Sequence, residues 1–133
     1  MRYHGRVIPR GIVVGCIFAL SLAACGGGDG TGPTTPSAPS EATINVTATG
    51  FKPSDTVIAV GGRVTFDNVD DRLHSIASLP LTTHADCPVI NEVGVLAPGQ
   101  SKQTGIFTDA KSCGYHDVFS EGGQLLTGTI TVR

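Results

Sequence analysis

Residues 60–74 read VGGRVTFDNVDDRLH, and this stretch decides how the chain folds. A glycine pair, which is typical of a turn, comes two residues before Val64, and the apolar side chains of Val64 and Phe66 alternate with polar neighbours. Such alternation is the period of a β-strand with one buried face. Asp70 and the aspartate after it then form a solvated turn before His74. The segment therefore predicts two strands joined by an acidic turn.

Short apolar or alternating segments, separated by turn residues, continue on both sides of this stretch. None of them sustains a helical period, and they recur roughly every ten residues. This spacing predicts an all-β domain, a β-sandwich of about seven strands. One face of a late strand carries Cys113, Tyr115, Asp117 and Phe119. His116 therefore points to the opposite face of that strand unless a bulge intervenes.

The first residues of the chain have a different pattern, which is typical of an export signal. Three arginines precede an apolar run at 12–24 (IVVGCIFALSLAA), whose length of 13 residues is shorter than the roughly 20 that span a bilayer. Leu22-Ala23-Ala24-Cys25 resembles the lipobox of bacterial lipoproteins, in which the cysteine is lipidated and becomes the mature N-terminus. We expect a signal peptide over 1–24, a lipidated Cys25 with a flexible Gly- and Pro-rich linker over 25–41, and a domain over 42–133.

These boundaries set the location and the charge of the mature chain. The resemblance implies an exported lipoprotein, anchored to a membrane by its N-terminal lipid, on the periplasmic side or at the outer membrane. Removal of three arginines leaves six Lys and Arg against eleven Asp and Glu, a formal charge of −5. An acidic chain without a basic stripe is not expected to bind nucleic acid. No catalytic constellation stands out in the sequence, so no enzyme activity is predicted.

Two cysteines remain in the domain once Cys25 is lipidated. Thiols tend to be oxidised outside the cytoplasmic membrane, so Cys87 and Cys113 are predicted to form a disulfide. The alternative is that Cys113 stays a free thiolate and binds copper.

Motifs along the whole domain resemble those of the cupredoxins, such as plastocyanin and amicyanin. The first half carries Gly50-Phe51-Lys52-Pro53, then Val60-Gly61-Gly62-x-Val64-x-Phe66-x-Asn68-x-Asp70, then His74. The second half carries Leu96-x-Pro98-Gly99-x-Ser101, Tyr115-His116-Asp117 and Leu126-Thr127-Gly128-Thr129-Ile130-Thr131-Val132. The resemblance implies a Greek-key, cupredoxin-like β-sandwich and a blue-copper electron carrier, whose site needs two His, one Cys thiolate and usually a weak Met.

When the copper-ligand positions of that family are matched one at a time to this sequence, most of the ligands are missing. His74 occupies the position of the first His ligand, but Asp117 stands where the Cys is expected and Leu126 where the Met is expected. Ser120 and Glu121 occupy the loop of the second His. A type 1 blue-copper site is therefore not expected. A rival alignment uses Cys113 and His116 as ligands and leaves Cys87 as a free thiol.

A metal site without a thiolate remains a hypothesis. His84 precedes Cys87 by three residues and His116 follows Cys113 by three, so a disulfide would tether both imidazoles to one region. With His74 and the Asp117 carboxylate they form a nitrogen and oxygen donor set that suits Cu(II) or Zn(II). The first functional hypothesis is copper binding for storage, delivery or redox chemistry in the cell envelope. The alternatives are a metal-free module that binds a protein or glycan, and blue-copper electron transfer.

Overall fold

The computed structural model describes residues 36–120 and 124–133. The predicted signal peptide, the lipidated Cys25 and the linker up to residue 35 lie outside the described residues, as does Glu121. In the part of the chain that is described, no helix is long and apolar enough to cross a membrane.

The described residues form nine β-strands and one short 3₁₀ helix. Their bounds are β1 (Glu41–Thr47), β2 (Gly50–Lys52), β3 (Asp55–Ile58), β4 (Arg63–Asn68), β5 (His74–Ser78), the 3₁₀ helix (Pro88–Glu92), β6 (Gly94–Leu96), β7 (Ser101–Gln103), β8 (Ser112–Asp117) and β9 (Thr127–Val132). The structure has nine strands, where about seven were predicted. Three of the nine are only three residues long, too short to show an alternating pattern in the sequence.

The strands form two sheets that pack face to face. One sheet has four strands in the order β2-β1-β4-β7, and the other has five in the order β3-β9-β8-β5-β6. The pairs β1–β4 and β3–β9 are parallel, and the remaining neighbours are antiparallel. The prediction of an all-β sandwich is therefore confirmed.

The core between the sheets contains the alternating residues that the sequence singled out. Val64 and Phe66 on β4 are fully buried, and Phe51, Phe66 and Tyr115 pack edge to face with centroid separations of 4.7 to 6.2 Å. The Cys87–Cys113 disulfide is present, with Cα atoms 5.8 Å apart, and both cysteines belong to this core. The disulfide prediction is therefore confirmed.

Strand β8 positions the candidate site residues, because its two faces meet different parts of the protein. Its register with β5 and with β9 is continuous, so no bulge interrupts the alternation of its side chains. Cys113 and Tyr115 face the core. On the opposite face, Leu79 packs so closely over Gly114 that a Cβ there would lie 2.6 Å from Leu79 Cδ1. The segment after β5 therefore covers the outer face of β8.

The sequence prediction was wrong at the end of β8. Phe119 was expected to continue the buried face of the strand, but β8 ends at Asp117 and Phe119 is 45% exposed. The reason is local, because the Asp117 carboxylate accepts a hydrogen bond from the Phe119 amide at 3.0 Å. This contact turns the chain away from the sheet.

Candidate functional site

An open pocket of about 620 Å³ lies at the end of the sandwich where β4, β5 and β8 meet their loops. Its lining combines buried polar groups with exposed apolar side chains. The lining residues are Ala48, Arg72, Leu73, His74, Asp117, Val118, Phe119, Ser120, Gln124 and Leu126. His74 and Asp117, which the sequence identified as candidate ligands, thus lie on the wall of one pocket.

The imidazole of His74 is held between two carboxylates. Its Nδ1 lies 2.8 Å from Asp117 Oδ2, and its Nε2 lies 3.0 Å from Asp70 Oδ2. The side chains of His74 and Asp117 are 3% and 1% exposed, so this contact is shielded from water. Without a metal ion, both contacts are hydrogen bonds only when each ring nitrogen carries a proton.

The Asp117 carboxylate also organises the chain around the histidine. Its Oδ1 accepts hydrogen bonds from the backbone amides of Ser75 at 2.8 Å and Phe119 at 3.0 Å. One carboxylate thereby links the start of β5, the end of β8 and the following turn. These contacts fix Oδ2 in its position opposite His74 Nδ1.

Asp70 is a site residue that the sequence reasoning missed, since it was expected to lie in a solvated turn. Its side chain is only 10% exposed and contacts His74 directly. The backbone amide of Asp71, which donates to Oδ1 at 2.9 Å, lowers the pKa of Asp70, and His74 and Arg72 lower it further. Asp70 is thus an anionic acceptor for the Nε2 proton. The signal available in the sequence was its spacing of four residues from His74.

His84 and His116 form a second pair, on the outer face of the five-stranded sheet. Their rings are 5.0 Å apart between centroids and nearly parallel, at 19°. His116 neighbours Asp117 on β8, and adjacent strand residues point to opposite faces. The four predicted ligands are therefore brought together as two separate pairs, His74 with Asp117 and His84 with His116.

The outer pair is largely shielded from water. His116 is 3% exposed, and within the described residues its Nδ1 has no hydrogen-bond partner. Burial lowers the pKa of His116 and the neighbouring His84 lowers it further, against the opposing effects of Asp117 and the Ala77 carbonyl. His84 is half-buried, and its Nδ1 lies 2.9 Å from the Ser78 carbonyl oxygen.

The donors at the pocket do not fit a type 1 copper centre. Such a centre needs a thiolate, and both cysteines of the described residues are bonded to each other. The rival alignment with Cys113 as a copper ligand is therefore wrong. Asp117 and Leu126 line the pocket where the resemblance expects the Cys and Met ligands. A nitrogen and a carboxylate oxygen, His74 Nδ1 and Asp117 Oδ2, remain as neighbouring donors.

No family model and no curated protein matches the sequence. Solved structures do match the fold, and the following three each align with about 70% of this chain. A purple cupredoxin from Nitrosopumilus maritimus is 24% identical with a TM-score of 0.54, covering 69% of this chain and 99% of that chain. Auracyanin from Roseiflexus castenholzii is 18% identical with a TM-score of 0.54, covering 72% of this chain and 98% of that chain. Plastocyanin from Dryopteris crassirhizoma is 18% identical with a TM-score of 0.52, covering 68% of this chain and 99% of that chain. The domain therefore has the cupredoxin-like β-sandwich fold.

Proposed function

We propose that this protein is an envelope-anchored, cupredoxin-like protein that binds Cu(II) through His74 and Asp117, without a thiolate. The observation that carries the proposal is the 2.8 Å separation of His74 Nδ1 and Asp117 Oδ2 on the wall of an open pocket. When two donor atoms bind one metal ion at adjacent coordination positions, with bonds of about 2.0–2.2 Å, the two donor atoms are separated by about the distance seen here between Nδ1 and Oδ2. Imidazole and carboxylate together are donors that suit Cu(II).

The position of Asp70 supports the same proposal. Histidine ligands usually donate their second ring N–H to a carboxylate or carbonyl, which fixes the tautomer. Asp70 Oδ2 lies 3.0 Å from His74 Nε2 and would hold the proton there. Nδ1 is then the nitrogen whose lone pair binds the ion. His74 and Asp117 would be the ligands, Asp70 would position the imidazole, and solvent in the pocket would complete the coordination.

The anchoring part of the proposal depends on residues outside the described ones. Cys25 would carry the lipid, and residues 26–35 contain no large apolar side chain, so they would act as a tether. The copper-binding domain would then act at a membrane surface, in storage, delivery or redox chemistry.

A metal-free binding module is the second candidate, because one observation favours it. The His74 cluster is already satisfied by its own hydrogen bonds, since both ring nitrogens face carboxylates. Around it, Leu73, Val118 and Phe119 line the pocket and are 45% to 55% exposed. Exposed apolar side chains that rim a pocket are typical of a surface that binds a partner.

Titration of the mature chain with Cu(II), followed by absorption and electron paramagnetic resonance, tests the two candidates. We expect a pale copper protein with nitrogen coupling in its resonance spectrum and no intense thiolate-to-copper band. His74→Ala should abolish the nitrogen coupling of copper bound at the pocket. Asp117→Asn should weaken binding while its amide oxygen retains the contacts to the Ser75 and Phe119 amides.

His84→Asn is the matched control, because it removes an imidazole from the outer pair and leaves the pocket unchanged. The copper signal assigned to the pocket should persist in this variant. Copper binding by His74→Ala with the affinity and spectrum of the parent would refute the site. A parent that binds no copper would leave the metal-free module as the function.

A further inference from the structure

We propose that His84 and His116 form a separate site for a divalent transition-metal ion, Zn(II) or Cu(II), on the outer face of the five-stranded sheet. The proposal is independent of the pocket site, because it uses neither His74 nor Asp117. It rests on three features of the pair: which nitrogens are free, how firmly His84 is held, and how far apart the two rings lie.

The ring of His84 has a defined free nitrogen. Its Nδ1 lies 2.9 Å from the carbonyl oxygen of Ser78, and a carbonyl can only accept a hydrogen bond. The proton of the neutral imidazole is therefore on Nδ1, and the lone pair is on Nε2. A histidine whose second nitrogen donates to a backbone carbonyl has the arrangement usually seen in metal ligands.

The backbone of His84 is fixed in an unusual conformation. Its φ is 50°, in the left-handed region that few residues other than glycine and asparagine adopt. Its amide donates to the Pro80 carbonyl at 2.9 Å, and its own carbonyl accepts from Asn91 Nδ2 at 2.8 Å. A non-glycine residue held at positive φ by surrounding contacts is often found at a functional site. Here the strained backbone brings the imidazole over His116.

His116 supplies a buried nitrogen that has no protein partner. The side chain is 3% exposed, and among the described residues nothing hydrogen-bonds to its Nδ1. Buried polar atoms nearly always have a partner, so this exception requires an explanation. An ion bound in line with one nitrogen lone pair of each ring would give this buried nitrogen a partner.

The separation of the rings suits a shared ion. With metal–nitrogen bonds of about 2.0–2.1 Å, two imidazoles on one tetrahedral ion have ring centroids about 5 Å apart. The observed distance is 5.0 Å. Because the rings are nearly parallel, their in-plane lone pairs do not meet at one point, so one ring must turn about χ2. That ring is His116, since turning His84 would break its bond to the Ser78 carbonyl, and this torsion is broad in histidine. Water would fill the other positions.

The disulfide holds the two histidines near each other. Cys87 lies three residues after His84 and is bonded to Cys113, three residues before His116. Ser78 connects both ends of the loop, because its carbonyl accepts from His84 and its hydroxyl accepts from the Cys87 amide at 2.9 Å. The loop that carries His84 is therefore fixed to the strand next to β8.

Zinc titration of the full mature chain tests the proposal, since Zn(II) has no redox chemistry that could alter the disulfide. Calorimetry should detect binding that His84→Asn or His116→Gln weakens by at least about tenfold, the lower end of the effect of losing even an outer-shell partner. Asparagine is chosen at position 84 because it tolerates positive φ. His74→Ala is the control variant, and it should leave this binding event unchanged.

Ring-nitrogen chemical shifts of the parent protein give a second readout that needs no substitution. Saturation with Zn(II) should shift the signals of His84 and His116. Unmoved signals from these two rings would overturn the proposal, as would parent-like affinity in both variants. Failure of the copper site at the pocket would appear separately, in the response of copper binding to His74→Ala.

Discussion

Removal of the Cys87–Cys113 disulfide should destabilise the domain strongly. The bond links the residue before the 3₁₀ helix to β8 across a sequence separation of 26 residues. Cys113 is fully buried and Cys87 is 3% exposed, so both sulfurs pack within the core. We consider the double variant Cys87→Ala/Cys113→Ala, which breaks the bond without placing hydroxyl groups in apolar surroundings.

The size of the effect follows from the length of the closed loop. For a loop of about 26 residues the chain-entropy relation gives about 3.5 kcal/mol at 25 °C. Domains of this size have a total stability of about 5–15 kcal/mol, so the loss is a substantial part of it. For a domain of 60–100 residues, a change of this size lowers the melting temperature by roughly 15–25 °C.

Thermal unfolding of the parent and the double variant, followed by circular dichroism, measures this difference. The parent unfolded in the presence of a reductant is the control, because it loses the same cross-link without losing side-chain volume. Thiol labelling of the native mature protein before reduction should find no reactive thiol. A double variant that melts within a few degrees of the parent would show that the loop entropy does not stabilise this fold.

Three further predictions concern the anchor, the outer histidine and the packing of β9. Cys25→Ser should move the protein from the membrane fraction to the soluble fraction without changing the melting temperature of the domain, which fractionation and thermal unfolding can check. Without metal, the lowered pKa of His116 means that below about pH 6.5 the unfolded chain binds a proton that the folded chain does not. Stability should therefore fall as the pH drops through this range, and His116→Gln should flatten the fall in urea unfolding. Gly128→Ala should cost about 1–3 kcal/mol, since the new Cβ would collide with the Tyr115 hydroxyl; an unchanged urea midpoint would contradict this.

The parts of the fold that the sequence predicted are those where alternation extends over several residues. On β4, Val64 and Phe66 are buried as their spacing indicates, and the alternation of Ile44 and Val46 on β1 is equally regular. These are long strands with one face on the core, where a period of two is visible. The disulfide followed from the number of cysteines in an exported domain.

The parts that could not be predicted depend on contacts between distant residues. Strands β2, β6 and β7 have three residues each, and they form because longer neighbours offer hydrogen-bonding groups. Phe119 shows the same limit, since its alternation with Asp117 suggested a longer β8. The Asp117 side chain ends the strand by binding the Phe119 amide, and no local pattern shows this.

The candidate site was predictable in its residue types but not in its grouping. His74, Asp117, His84 and His116 are all buried or half-buried near other polar groups, as their chemistry suggested. Which of them meet depends on how the segment after β5 folds over β8, and that segment has no regular pattern. Asp70 was missed because two acidic residues in a turn are usually solvated, whereas here the side chain of Asp70 folds back onto His74.

The alternation of β8 gives the two pairs their separate chemistry. Asp117 faces inward, where its carboxylate is bonded to two amides and to His74, and this neighbourhood is rich in charge. His116 faces outward beneath His84, where its neighbours include this second imidazole and the Ala77 carbonyl. A cation at the pocket would lie between one imidazole and a carboxylate, whereas a cation at the outer pair would meet two imidazoles. Copper bound at the pocket should therefore couple to one protein ring nitrogen, and copper bound at the outer pair should couple to two. Electron paramagnetic resonance can separate these two binding events, with His74→Ala and His84→Asn each removing one of them.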